Sequence, residues 1–412
     1  MVKMPHWPKP VGLLQNETSL QRMQEILSRL GNPQRNLPPT VHVAGTNGKG
    51  STIAFLRAML EAAGKIVHSY TTPHMVEFNE RITLAGKQIS DDYLFEIMER
   101  VRLAAEGLRL GFYESTTAGA LLAFSEVKAD YLLLETGMGG RLDATNIIEN
   151  PIITILTTIA KDHTKFLGED LRLIAGEKVW IVKEGSLCIS SLQEDEVYPV
   201  IENWCEKKNV PFLAFGADFV VEKIEDGMIY STQQGEWQYP KPALLGDHQY
   251  VNAASAICAA KALGVGEGAI AAGLQSAKWA SRMEKISRGF VPEGWEFWLD
   301  GAHNPAAAHA IAGFIEDEWV DAKTTYLIYG TTRGRDTAEF LQRFYGLVDH
   351  IACVKVNFEP DAYDGEEIKN SIDFESSSAH ASIRDAVKYL HSQNPAPARI
   401  LCCGSLFMRG DI

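Results

Sequence analysis

Short apolar runs that end in polar residues alternate along this chain with stretches of helical periodicity, and that alternation restricts the fold most. The runs lie in VHVAGTNGKGST (41–52), KIVHSYTT (65–72), ADYLLLETG (129–137) and PIITILTTI (151–159). Helical spacing fills the intervals, as in SDDYLFEIMERVRLAAEG and TTAGALLAFSEVK. Strands apolar at nearly every position are buried on both faces, and strands joined through helices run parallel. Residues 17–30 predict a helix that stops at Gly31-Asn32-Pro33. Between 210 and 240 the pattern changes to ADFVVEKI and GMIYSTQQ with a turn between them, which predicts a hairpin. Residues 250–280 return to alanine-rich helix.

Turn residues cluster in SRGFVPEGW and mark a boundary near 286–296. Beyond it WEFWLDG, TTYLIYGTT, HIACVKVN and RILCCGS read as strands, alternating with helices such as NPAAAHAIAGFIEDEW and SIRDAVKYLHSQ. The expected fold class is α/β. A larger domain over 1–288 has a mostly parallel sheet and a small β-hairpin region near 210–240. A smaller, Rossmann-like α/β domain follows over 289–412. Ligands in such sheets bind at the carboxyl ends of strands.

The composition, 46% hydrophobic and 22% charged over 412 residues, is that of an ordinary globular chain. A net charge of −14 argues against nucleic acid or an anionic membrane as partner. No run of about 18 apolar residues predicts a membrane span, and MVKMPHWPKPVGLL does not read as a signal peptide. The six cysteines have neither zinc-site nor disulfide-framework spacing, so they are expected reduced and packed in a cytoplasmic protein.

The first apolar run leads into three glycines within six residues and then into TIAFLRAMLEAAG. Strand, glycine-rich loop and helix form a phosphate cradle, because amide N–H groups and the helix dipole both favour anions. The strict P-loop spacing is not met: Val43 replaces its first glycine, and Gly50 separates Lys49 from Ser51 and Thr52. Glu135, the first acid after an apolar strand, is either a magnesium ligand or a solvated carboxylate. Asp162 and His163 end another strand, and Lys178 lies on a short amphipathic segment.

HVAGTNGKGST, TTPHMVEFNERI, ETGMGGRLDATN, DHTKFLG, GDHQYVNAASAI, SRMEKI, LDGAHNP and GSL occur in this order along nearly the whole chain. In these motifs the chain resembles the dihydrofolate synthase/folylpolyglutamate synthase family of the Mur ligase superfamily. The resemblance implies a Mur-ligase-like fold, a large P-loop ATPase domain with a glutamate-ligase domain behind it. It implies that Gly45, Thr46, Asn47, Gly48, Lys49 and Gly50 wrap the ATP phosphates and that Ser51 faces the magnesium–phosphate group. Thr72, Glu135 and His163 become metal ligands, and Lys178 a carbamylated lysine serving a second magnesium site, with room for a monovalent cation. Asn252 is assigned to the adenine and Arg282 to the γ-phosphate. Asp300 and His303 complete the site from a strand end outside the core of the smaller domain, Ser405 holds the incoming glutamate, and Asp143 lies near the pterin.

Two positions depart from the family pattern. Trp180 replaces a glycine near Lys178, where it either adds burial or crowds the pocket, and Arg335 replaces a lysine. The implied activity is ATP-dependent addition of L-glutamate to dihydropteroate or a folate by a cytoplasmic monomer. Two alternatives are a Mur-type amide ligase acting on a nucleotide-linked cell-wall precursor and a nucleotide-binding regulatory protein.

Overall fold

The structure, a computed structural model, describes residues 6–8, 17–162, 168–357, 359 and 361–412. The chain divides into two compact units, one of Lys3–Ala243 with His248–Lys278, the other chiefly of Leu244–Asp247 with Trp279–Ile412.

The larger unit is built on an eight-stranded sheet. Its strands are β1 (Thr40–Ala44), β2 (Val67–Tyr70), β3 (Ile82–Leu84), β4 (Lys87–Gln88), β5 (Tyr131–Glu135), β6 (Ile153–Leu156), β7 (Leu187–Ser190) and β8 (Phe212–Ala214). Their order is β4-β3-β2-β5-β1-β6-β7-β8, parallel except for the antiparallel β2–β3 and β3–β4 pairs. All five residues of β1 are buried, as expected of a central strand covered on both faces.

Helices α1 (Ser19–Arg29), α2 (Lys49–Ala62), α3 (Asp91–Ala104), α4 (Phe112–Glu126), α5 (Leu171–Lys178), α6 (Tyr198–Lys208), α7 (Asp247–Ala262) and α8 (Glu267–Ser276) surround this sheet. One core cluster joins Met23, Ile97, Leu121 and Phe124 to Leu132 and Leu134. Another joins Leu156 and Cys188 to Ile174, Val179 and Ile201. Each fully buried Leu, Ile or Phe contributes about 1.5–3 kcal/mol; truncating Phe124, with no exposed surface, would cost about 3–5 kcal/mol.

The hairpin expected near 210–240 is instead a three-stranded antiparallel sheet of β9 (Phe219–Ile224), β10 (Gly227–Thr232) and β11 (Gly235–Pro240). The third strand, GEWQYP, carries a glutamate and ends in proline, which hides it from a search for apolar runs. The alanine-rich helix divides into α7 and α8 around Gly264 and Gly266.

The smaller unit holds a six-stranded sheet of β12 (Glu284–Ile286), β13 (Glu296–Leu299), β14 (Thr325–Tyr329), β15 (His350–Val354), β16 (Ser377–His380) and β17 (Arg399–Cys403). The order is β12-β13-β17-β14-β15-β16, and only β12 is antiparallel to its neighbour. Helices α9 (Pro305–Glu318), α10 (Thr337–Gln342), α11 (Gly365–Lys369) and α12 (Ile383–Gln393) accompany it. Two core clusters form there, one around Ile311, Phe340 and Leu401, the other around Phe297, Ile328 and Val387. All six cysteines are unpaired and buried. No helix among the described residues is long and apolar enough to cross a membrane.

Candidate active site

In the larger unit the parallel strands deliver their polar residues to one edge. Register pairs Val43 of β1 with Glu135 of β5 on one side and Ile155 of β6 on the other, so the loops that follow emerge together. The loop after β1 is tied to the loop after β6: the Thr46 and Asn47 amides both donate to the Thr158 carbonyl, at 3.0 and 3.1 Å. Two of the amides expected to wrap phosphate are therefore engaged within the protein. The remaining donors cluster at the start of α2, where Lys49, Gly50 and Ser51 lie in the first turn and the helix supplies no acceptor of its own.

Gly48 caps α2 with φ +88°, a conformation that favours glycine. A Cβ there would meet Asn252 Oδ1 at 2.2 Å, so Asn252 of α7 packs directly on the loop. The Asn252 amide also donates to Gln249 at 3.1 Å.

Two lysines converge on one carbonyl. Lys49 Nζ donates to the Gly45 and Thr46 carbonyls, both at 3.2 Å, and Lys178 Nζ donates to Gly45 at 2.9 Å. Lys178 is 4% exposed. Burial, reinforced by the Lys49 ammonium, lowers its amine to about 7. Glu135, also buried, places Oε1 3.9 Å from Lys49 Nζ and accepts at Oε2 from the Thr72 amide at 3.0 Å. Contact between Thr72 and Glu135 thus runs through the Thr72 backbone. His163 lies outside the described residues.

Among the described residues no three His, Cys, Asp or Glu side chains converge as a metal cage. The donors present are Glu135 and the hydroxyls of Ser51 and Thr72, all hard oxygens. They fit magnesium, which is commonly held by one or two carboxylates with substrate phosphates.

The glycine-rich loop after β5 is organised by Asp143. Its buried carboxylate accepts from the Gly137, Met138 and Thr145 amides at 2.9, 3.0 and 2.9 Å and from the Thr145 hydroxyl at 2.6 Å. Burial raises the Asp143 pKa, opposed first by the Thr145 hydroxyl bond. Thr145 also meets His42 Nε2 of β1 at 2.8 Å. At its far side the loop rests on α5: the Arg141 amide donates to the Glu177 carbonyl at 2.8 Å and its guanidinium to Glu177 at 2.9 Å and Glu17 at 3.0 Å. A Cβ on Gly140 would lie 2.9 Å from Lys178 Cα, so the loop backbone lies against the segment carrying Lys178. Trp180 is 41% exposed and packs on Trp204 with ring centroids 5.0 Å apart.

The smaller unit presents a different construction. Ser281 and Met283 have φ +54° and +42°, left-handed values that cost non-glycine residues about 1–3 kcal/mol each. Asp300, at the end of β13, clasps this kink by accepting from the Met283 amide at 2.8 Å and from Ala302 at 2.7 Å. Asp300 is only 4% exposed, and burial raises its pKa, opposed first by Arg282. Asp300 thus carries structural bonds to the backbone of its own unit in addition to its place at a strand end.

The Arg282 guanidinium donates to the Ser281 carbonyl at 2.9 Å and lies over Gly301, where a Cβ would come within 2.5 Å of it. His303 Nδ1 donates to the Gly301 carbonyl at 2.7 Å, and Arg335 donates to the His303 carbonyl at 3.1 Å. Asn304 caps α9, with Pro305 at its first position. Buried Ser405 follows β17 and accepts from the Phe407 amide at 3.3 Å.

His42, Thr145, Arg141 and Glu177 escaped sequence reasoning as members of this neighbourhood. The signal for His42 was visible, an imidazole between two valines on an otherwise apolar strand. Its partner 103 residues away was not.

The family model for the Mur ligase middle domain matches residues 43–260, and that for the Mur ligase glutamate ligase domain matches 281–406. The dihydrofolate synthase/folylpolyglutamate synthase of Bacillus subtilis is 32% identical over 416 residues, covering 95% of this chain and 94% of the relative. That of Escherichia coli is 29% identical over 392 residues, covering 94% and 89%. Among solved structures, Escherichia coli FolC in complex with DHPP and ADP superposes with a TM-score of 0.86 at 27% identity, covering 96% of this chain and 94% of that one. A bifunctional folylpolyglutamate synthase/dihydrofolate synthase with Mn, AMPPNP and L-glutamate bound gives 0.85 at 26% identity, covering 96% and 94%. With both Mur ligase regions matched in order and the fold shared along nearly its full length, the chain belongs to the dihydrofolate synthase/folylpolyglutamate synthase family of Mur ligases.

Proposed function

We propose that this protein is a cytoplasmic, monomeric ATP-dependent ligase that joins L-glutamate to the carboxylate of dihydropteroate, of a folate, or of both. The observation that carries the reading is the convergence of Lys49 and Lys178 on the Gly45 carbonyl, beside Glu135 and the first turn of α2. A carboxylate is a poor acyl donor because its leaving group would be oxide. Transfer of the terminal phosphoryl group of ATP makes it an acyl phosphate, and the glutamate amine then forms the amide as phosphate departs. Such transfer rests on positioning and charge stabilisation.

In this reading the α2 amides of Lys49, Gly50 and Ser51 receive the phosphates, Lys49 neutralises charge on the transferring group, and Asn252 helps hold the nucleotide. Glu135, with the hydroxyls of Ser51 and Thr72, would hold magnesium, which supplies further neutralisation of the phosphates. Lys178, with an amine near 7, has the neutral fraction that reaction with carbon dioxide requires, and the resulting carbamate replaces a cation by an oxygen ligand. Asp143 shapes the loop proposed to receive the pterin. In the smaller unit the same reading assigns Arg282 to the transferring phosphoryl group and Asp300, His303 and Ser405 to the glutamate step.

The test is phosphate release from magnesium-ATP with glutamate, in the presence of dihydropteroate or tetrahydrofolate and in its absence. Release that depends on the pterin acceptor, with an amide product, is the expected result. Equal release without acceptor would overturn the ligase reading in favour of a nucleotide-driven regulator.

A further inference from the structure

We infer that His42 is a positioning residue for the ligase reaction: through Thr145 and Asp143 it locks the 137–145 loop to β1, and so to the phosphate loop that β1 carries. The inference rests on the ligase reading above. Hydrogen-bond directions along the chain are determined by elementary valence. An ionised carboxylate only accepts, so the Thr145 hydroxyl, 2.6 Å from Asp143 Oδ1, donates its one proton there. Thr145 Oγ1 is then an acceptor toward His42 at 2.8 Å, and His42 must carry its proton on Nε2. The other ring nitrogen, Nδ1, is buried without a hydrogen-bond partner, consistent with that tautomer.

This arrangement is costly for a residue that only fills space. His42 has no exposed surface, its strand neighbours Val41 and Val43 are apolar, and an aliphatic side chain would leave no ring nitrogen unsatisfied. What the imidazole adds is its bond to Thr145. Beyond Thr145, Asp143 gathers the Gly137 and Met138 amides, so one carboxylate closes the whole loop. The far side of that loop bears on Glu177 and Lys178. The loop is therefore held at two points, at β1 three residues before Gly45 and at the segment carrying Lys178. Both lysines that meet on the Gly45 carbonyl are indexed against it.

The test compares His42→Leu, His42→Gln, Thr145→Val and the His42→Leu/Thr145→Val double variant, with kcat, KM for ATP and amide hydrogen exchange at Gly137 and Met138. His42→Leu and Thr145→Val should each lower kcat at least 10-fold while KM for ATP stays within threefold. His42→Gln, whose amide can still donate to Thr145, should keep a third or more of wild-type kcat. The double variant should fall no more than about twofold below the worse single one. Exchange at Gly137 and Met138 should accelerate at least 10-fold in His42→Leu and not in His42→Gln.

Multiplying losses, equal impairment of the Leu and Gln variants, or a His42→Leu enzyme within twofold of wild type would overturn the inference. If His42→Leu does not fold, His42→Gln and Thr145→Ser, which keeps the hydroxyl, must both remain near wild type. A wild-type protein without pterin-dependent turnover would sink the ligase reading instead. The exchange measurement would still decide whether His42 holds the loop.

Discussion

The two units prepare their functional residues in different ways. In the larger unit two cationic side chains crowd one carbonyl beside a buried carboxylate, and the scaffold supplying them is regular: strand ends and a helix start. In the smaller unit a buried carboxylate meets backbone amides and holds two residues in left-handed conformations next to Arg282. The first neighbourhood concentrates charge on a backbone whose left-handed positions are glycines; the second uses charge to hold non-glycine residues in that conformation. Substitutions in the first should therefore move turnover without stability, and key substitutions in the second should move both.

The largest expected effect is at Lys49. Lys49→Ala removes a cation from the phosphate loop, and turnover should fall by about 10²–10³ or more, with the melting temperature within a degree or two of wild type. Retention of more than about a tenth of wild-type turnover, a difference of only about 1.4 kcal/mol, would remove Lys49 from the phosphate-binding assignment.

Lys178→Ala should also inactivate, with activity partly restored by short carboxylic acids that occupy the vacated site. Because the Lys178 amine lies near 7, its neutral fraction grows as pH rises through that value. Activation by added bicarbonate should grow over the same interval. Full activity of the variant without added acid would refute a carbamate at this position.

Asp300 and His303 sharpen the contrast within the smaller unit. Asp300→Ala leaves the Met283 and Ala302 amides without their acceptor, and each buried unsatisfied group costs about 1–3 kcal/mol. It should lower both turnover and melting temperature. His303→Ala, which loses one bond to the Gly301 carbonyl, should lower turnover with little thermal change. An Asp300→Ala protein as stable as wild type would erase the distinction between the two units.

The smallest effect is a pH slope. Burial holds His42 and His74 near 3, and His74 Nδ1 already accepts from Arg81 Nε at 2.9 Å. Both are neutral when folded, whereas the unfolded chain takes up protons below about 6.5. Stability is therefore full above 6.5 and declines as pH falls toward 3, by up to about 1.4 kcal/mol per pH unit for each histidine. His42→Gln should remove one such contribution from the acid limb of urea unfolding. An unchanged limb would show that His42 takes up a proton while folded.

What was legible in the sequence follows from the range over which each feature is encoded. The strand, loop and helix spanning 40–62 are local, so spacing alone located them. Glu135 could be placed because an apolar strand ends on it. Strand β11 was missed because its alternation of glutamate, glutamine and aromatics is set by pairing with β10. Strands β12 and β16 are edge strands of three and four residues whose identity comes from the strand beside them. The burial of Asp300 was hidden for the same reason: its partner amide is 17 residues away across a kink. The His42 chain joins a strand to a loop a quarter of the chain later, and no periodicity carries that information.

Trp180, half out in solvent and packed on Trp204 two residues beyond Lys178, turns a departure from the family pattern into an optical probe. Indoles this close couple their transitions, so the pair should contribute its own near-ultraviolet circular dichroism. Emission from Trp180 should report how the two rings pack in the segment that follows Lys178. Packing of the segment beyond Lys178 can thus be followed in the unlabelled protein, with Trp180→Phe as the silent control.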